Sequence, residues 1–255
     1  MEITLLIGLI IIATAFVCEY ADSTLGMGYG TTMTPILLLL GFEPLQFVPI
    51  VLISEMITGV MAGLCHHKEG NIDLKSSFNW KIIATFVIWG IVGSIVATTA
   101  AVTLPKLWIK TYIGCLVLFI GIFLYIVRNK TFSFSWAKIG FVGLLASFNK
   151  AISGGGYGPL VCPGQILSGV STKSAVAITS VSESLTCLVA ASIYLLVSNQ
   201  INWVLLPWIL TGTICSVPFS AKSVKLLPDA AFRILISILT ISLGTFTLAK
   251  IWLVQ

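Results

Sequence analysis

Two glutamates stand in the middle of long apolar runs, and each follows a loop dense in glycine. Glu55 comes after Gly26-Met27-Gly28-Tyr29-Gly30, and Glu183 comes after Gly154-Gly155-Gly156-Tyr157-Gly158. The chemistry open to such a set is the holding of a small anion. Glycine lets a ligand come close to the backbone. A helix that begins just after the loop offers unpaired N–H groups and about half a positive charge. Gly26, Gly28, Tyr29, Gly30, Gly154, Gly155, Gly156, Tyr157 and Gly158 are therefore candidate binding residues. The competing reading is close helix packing, for which small residues are also used in membranes.

The flanking residues extend the set. Asp22 and Lys150 stand at equivalent positions, four residues before the first glycine of each loop. Lys150 would add fixed positive charge for an anion, while Asp22 pairs with it or sits at the mouth; both also suit interfacial snorkelling. Asn149 and Ser153 are further hydrogen-bond donors. An ionised carboxylate at the centre of a membrane helix costs at least about 2.5 kcal/mol, so Glu55 and Glu183 are functional candidates. Two roles stay open for them. Each accepts hydrogen bonds from its loop and holds the break open, or burial favours its protonated form and it carries a proton during transport. Ser54, Ser182, Thr58 and Thr186 lie beside them, where ordinary back-bonding to helix carbonyls is the simpler reading. His66 and His67 are adjacent and do not share a helix face. With Lys68, Glu69 and Gly70 they read as a solvated loop, and no metal site is expected.

The elements that must position these residues form a repeat. A constant shift of 128 residues carries Gly26 onto Gly154, Pro35 onto Pro163, Gly41 onto Gly169, Ser54-Glu55 onto Ser182-Glu183 and Thr58 onto Thr186. The chain divides into residues 1–128 and 129–255, two copies of one unit. Of its 255 residues 57% are hydrophobic and 9% charged, with mean hydropathy +1.06, against roughly 25% charged for a soluble domain. A polytopic all-α membrane protein follows, because crossing the bilayer takes about 20 apolar residues in helix. The net charge of +5 lies mostly in short connections and does not imply nucleic acid. The six cysteines form no CxxC pair, so neither a disulfide framework nor zinc is expected. Met1-Glu2 opens the first apolar run without a basic region, so a cleaved signal peptide is not expected.

Apolar segments are expected at about Ile3 to Val17, Thr31 to Leu40, Leu45 to Leu64, Trp80 to Val102 and Leu107 to Val127. In the second half they are expected at about Trp136 to Phe148, a short piece to Leu167, Ser174 to Val197, Trp203 to Ala221 and Ala230 to Leu253. Trp80, Trp108, Trp136 and Trp203 stand near segment ends, as in an interfacial belt. The pieces after the glycine loops are too short to span the bilayer and are expected as broken or re-entrant helices. If connections alternate sides, Lys68, Lys75, Lys81, Arg128, Lys130, Lys138, Lys173, Lys222, Lys225 and Arg233 collect on one side, and Lys106, Lys110, Lys150 and Lys250 on the other. The positive-inside rule makes the first group cytoplasmic and puts both termini outside. Each half then has an odd number of crossings, so the two repeats are inverted, a transporter signature.

Gly26 to Gly30 with Pro35, Gly154 to Gly158 with Pro163, and the order of apolar segments resemble the sulfite exporter TauE/SafE family over essentially the whole chain. Met27 departs from the glycine of the second loop, and both loops carry a tyrosine. The resemblance implies export of sulfite or related sulfur oxyanions and organosulfonates across the cytoplasmic membrane. The expected protein is a secondary transporter working by alternating access at a midplane site. Its partners are a small anionic substrate, the lipid bilayer and a candidate coupled proton, with no cofactor. An anion channel of the same architecture is the alternative. A membrane-embedded enzyme is disfavoured, since there is no nucleophile–base pair, no HExxH and no cofactor loop. A non-transporting subunit is the remaining class.

Overall fold

The computed structural model describes the backbone over residues 4–103, 106–153, 157–197 and 201–253, with most side chains inside those ranges. The described residues form ten helices and no strand. The first half holds α1 (Leu5–Leu25), α2 (Tyr29–Leu39), α3 (Pro44–Lys68), α4 (Ser77–Thr103) and α5 (Lys106–Ile126). The second holds α6 (Trp136–Ser153), α7 (Gly158–Leu167), α8 (Thr172–Val197), α9 (Leu205–Leu226) and α10 (Asp229–Leu253). Four helices are long and apolar enough to cross a membrane by composition alone, within α1, α3, α8 and α10.

The expected boundaries hold within five residues except at the end of α1, and a second correction falls on a histidine pair. Helix α1 does not stop at Val17 but runs to Leu25, so Glu19 and Asp22 lie on the helix. The acids are tolerated because the inward face of Ile11, Ala15, Cys18, Glu19 and Ser23 continues at helical spacing and is buried in protein, not lipid. The helix ends where Gly26 turns left-handed at φ 74° and returns its N–H to the Asp22 carbonyl at 2.6 Å. The second correction concerns His66 and His67, which are not in a solvated loop. Helix α3 extends through Lys68, and His66 is fully buried. Burial is stable there because both ring nitrogens have hydrogen-bond partners.

The short helices α2 and α7 close in the same way. Gly41 (φ 87°) and Gly169 (φ 89°) follow them in left-handed conformation. Phe42 N–H then reaches back to Leu37 O at 3.1 Å, and Val170 N–H to Gln165 O at 3.0 Å. Each is a Schellman closure at equivalent positions, which satisfies an end carbonyl that water cannot reach. Each short helix also anchors an apolar core: Tyr29, Met33 and Leu37 in one, and Tyr157, Leu160, Val161 and Ile166 in the other.

The long helices pair across the halves. The most extensive packing is α5 on α10, α1 on α9, α4 on α6 and α3 on α8. Exchanging α1–α5 with α6–α10 maps this set onto itself. Close approach at α5–α10 is reciprocal: a methyl on Gly121 would lie 2.8 Å from Ile241 N, and one on Gly244 would lie 2.6 Å from Leu118 N. The basic connections gather at one end of the bundle. Arg233 Nη1 donates to Lys130 O at 2.6 Å, Lys173 Nζ to Lys225 O at 2.8 Å, and Lys225 Nζ to Glu69 at 3.0 Å. At the opposite end Asn202 N–H donates to Gln46 O at 3.1 Å. Thus α3 ends, and its equivalent α8 begins, at the basic end.

Left-handed backbone costs a residue with a Cβ about 1–2 kcal/mol. At Gly169 a Cβ would also press 2.5 Å from Phe134 N. Gly41→Ala is expected to lower the thermal unfolding midpoint of the detergent-solubilised protein, and Gly169→Ala to lower it further. Equal midpoints for the two variants would refute the close approach of Gly169 to Phe134.

Candidate functional site

The first glycine loop meets the start of α7 inside the bundle. A Cβ on Gly158 would run into the Gly26 carbonyl oxygen and lie 2.7 Å from Met27 Cα, and a Cβ on Gly26 would lie 2.9 Å from Cys162 Sγ. The first loop therefore rests on the start of α7, backbone against backbone. Tyr29 and Tyr157 are fully buried, with relative exposures of 0% and 1%. Each fixes the start of its short helix to the long helix that follows. Tyr29 Oη lies 2.9 Å from Ser54 Oγ, and Tyr157 Oη donates to Ser182 Oγ at 3.4 Å. The same bond thus recurs at the repeat shift. Ser54 and Ser182 are held by the tyrosines and do not line the cavity described next.

One cavity lies beside the loops, between α1, α3 and α8. Glu19, Asp22, Glu55, Thr58, Gly59, Ser180 and Glu183 line it, and it leaves about 10 Å³ for the centre of a water molecule, room for roughly one. Asp22 Oδ1 accepts the first amide of α2, Tyr29 N–H, at 3.2 Å. The carboxylate of Asp22 thus sits at the positive end of that helix. Glu55 reaches the same turn from α3: a methyl on Gly30 would lie 3.2 Å from its Oε1. Its other oxygen accepts from Cys187 Sγ on α8 at 3.2 Å. Glu19 takes hydrogen bonds from Ser23 Oγ at 2.5 Å and Thr58 Oγ1 at 3.2 Å.

Asp22, Glu55, Thr58 and Glu183 all line this cavity. Thr58 combines both readings, since it also back-bonds to Ser54 O at 2.9 Å. Thr186 is not part of the cavity. It back-bonds to Glu183 O at 2.7 Å, and its methyl faces Gly90 of α4. Gly28, at φ 125°, is half-buried beside Tyr29. Gly154, Gly155 and Gly156 lie outside the described residues, as do the side chains of Asn149, Lys150 and Ser153 at the end of α6.

Glu19, Ser180 and Cys187 belong to this neighbourhood and were not singled out from the sequence. Glu19 was discoverable, because it continues the buried face of α1 four residues after Ala15. Ser180 and Cys187 carry no such signal, since a serine or cysteine within an apolar helix is ordinary packing material.

Both halves take part in the likeness to known proteins. A family described as "Sulfite exporter TauE/SafE" matches residues 11–247. "Probable membrane transporter protein YtnM" of Bacillus subtilis (strain 168) is 27% identical over 249 residues, covering 92% of this chain and 80% of that relative. No solved structure matches. Together with the spans in α1, α3, α8 and α10, these likenesses make the protein a multi-pass membrane transporter. The chain belongs to the sulfite exporter TauE/SafE family.

Proposed function

We propose that the protein is a secondary transporter that exports a small sulfur-containing oxyanion, sulfite or an organosulfonate, across the cytoplasmic membrane. It alternates access to a midplane site between two inverted repeats, residues 1–128 and 129–255. The observation that carries this reading is the backbone contact between the first glycine loop and the start of α7, beside a polar cavity. A site shared by the repeats would need both helix starts at this point, and the contact at the start of α7 supports that reading. The antiparallel course of the equivalent helices α3 and α8 favours inversion. The gathering of basic connections at one end favours a cytoplasmic location for that end and external termini.

The substrate class rests on the family and on the helix starts. Tyr29, Tyr157 and the glycines beside them would present amides to the oxyanion, and Lys150, Asn149 and Ser153 would add charge and donors. Asp22 already occupies the first amide of α2. An incoming anion would therefore compete with a carboxylate, and proton uptake by the acids of the cavity would relieve that competition. This couples anion movement to protons at Asp22, Glu55 and Glu183. The inside-negative potential also favours export, by about 2.3 kcal/mol per charge per 100 mV. The solute leaves chemically unchanged.

Sulfite flux in proteoliposomes tests the proposal. A hydrogen bond to a charged group contributes about 1.5–3 kcal/mol, so Lys150→Ala is expected to lower flux about tenfold or more at low sulfite. Unaltered flux in a folded Lys150→Ala protein rejects Lys150 as a ligand. Glu183→Gln is expected to flatten the pH dependence of flux; an unchanged profile makes Glu183 structural. Counterflow driven by preloaded sulfite separates a carrier from a channel, which shows none.

A further inference from the structure

Between the cavity and the basic end of the bundle lies a buried polar cluster centred on His66, in the last turn of α3. The imidazole Nε2 donates to Ser23 O at 2.9 Å, and Asn71 Nδ2 donates to its Nδ1 at 3.0 Å. The same amide nitrogen donates to Ala221 O of α9 at 2.8 Å. That carbonyl can only accept, which fixes the orientation of the amide. Nδ1 is then an acceptor, and the ring is neutral with its proton on Nε2. Asn71 N–H bonds His66 O at 2.9 Å, and Asn71 O accepts from Ser174 Oγ of α8 at 3.3 Å. One ring and one amide therefore join α1, α3, α8 and α9. His66, Ser23, Asn71 and Ala221 are all buried. The Ser23 carbonyl is among the last of α1, where a helix supplies no partner of its own. The Ser23 hydroxyl holds Glu19 of the cavity wall. At the repeat shift Glu19, Ser23 and His66 become Ser147, Ala151 and Tyr194, so this chain of groups belongs to the first half alone.

We infer that His66 is the latch of a gate on the basic side of the cavity: singly protonated, it holds the end of α1 and the first glycine loop closed, and a second proton at Nδ1 releases them. An imidazolium would turn Nδ1–H toward an amide whose two hydrogens are already committed. If the amide flips to receive that proton, Asn71 Oδ1 faces the Ala221 carbonyl, and two acceptors meet. One buried hydrogen bond is lost either way. The titratable and charged groups of these elements nearest the latch in the chain are Glu19 and Asp22 on α1, His67 and Lys68 at the end of α3 with Glu69 after it, Lys173 on α8, and Lys222 and Lys225 on α9. The hydrogen bond from Lys225 holds the Glu69 carboxyl below its usual range, so this surface pair keeps its charge through mild acid. A response between pH 5.5 and 7.5 then belongs to His66 or to another group of this neighbourhood, His67, Glu19 or Asp22, and the variants below separate His66 from the rest. The role as a gate rests on the proposed transport site; the latch itself is tested without substrate.

Hydrogen exchange of the full-length protein in lipid nanodiscs, read over residues 18–30 and corrected for the intrinsic pH dependence of exchange, makes the test. A released imidazole titrates at about 6.5, so protection is expected to be about tenfold lower at pH 5.5 than at pH 7.5. His66→Gln keeps a donor toward Ser23 O but cannot take the second proton, and its protection is expected to be the same at both values. Asn71→Asp presents a carboxylate to Nδ1–H, so its segment is expected to be better protected in acid, a reversal that serves equally if His66→Gln does not fold. Equal protection of the wild-type segment at the two pH values overturns the inference. So does a wild-type response surviving in His66→Gln, which would assign it to His67 or the acids, or an Asn71→Asp profile like the wild type. Absent sulfite flux with an intact pH response would reject the substrate and leave the latch standing.

Discussion

Unpaired amides in hydrocarbon cost several kcal/mol each, and this chain interrupts its helices twice inside one bundle. That constraint orders the rest of the structure. Each short helix must be wrapped in protein, and α7 is buried from Gly158 to Ile166. Each must end without stranding carbonyls, and both do so through a left-handed glycine and a reach-back bond. Each must start against something other than lipid, and the start of α7 leans on the first loop where Gly158 meets Gly26 and Met27. Long helices from both halves pair around that contact.

Satisfying the first loop brought acid into the interior. Asp22 caps α2 through Tyr29 N–H, and Glu19, Glu55 and Glu183 share its cavity. Like charges so placed repel strongly in a medium of low dielectric. The energy of the cavity therefore depends on how many protons or cations it holds, and that number can change as a solute enters. A site lined only by helix starts and a lysine would bind an oxyanion statically. In the proposed site, carboxyl groups at the same spot would make binding answer to pH.

The architecture was largely legible in the sequence because duplication is visible as identities at a fixed shift, and hydropathy marks the long segments. Residue types in the site were legible where they stood out against apolar surroundings, as with Glu55 and Glu183. What escaped depended on helix ends. Cutting the first segment at Val17 left Glu19 and Asp22 in a supposed loop, although the inward spacing from Ile11 through Ala15 to Glu19 had not stopped. Reading His66 as solvated failed for a related reason. A histidine beside a lysine and a glutamate looks like surface, and its partners lie far off in the chain, at Ser23 and through Asn71 at Ala221. No local pattern announces such partners. The bond of each tyrosine to its serine, 25 residues on, was equally invisible, although both residues had been singled out.

The halves share a plan but not their chemistry, and the differences fall where a working cycle would need them. Asp22 answers to Lys150, Glu19 to Ser147, His66 to Tyr194, and Gly59 to Cys187, which reaches back to Glu55. In a proposed cycle of inverted repeats, identical halves would make the inward- and outward-facing states equal in energy and equally responsive to their surroundings. Substitution on one side alone breaks that equality. It cannot set the direction of net transport, which the gradients decide, but it can make one face open in response to a condition that the other face ignores. A buried ring bonded through both nitrogens supplies such a response at low cost, because its closed form requires one particular protonation state. The sensitivity then belongs to the helix ends that the ring ties together, one turn from the loop on which the whole bundle is assembled.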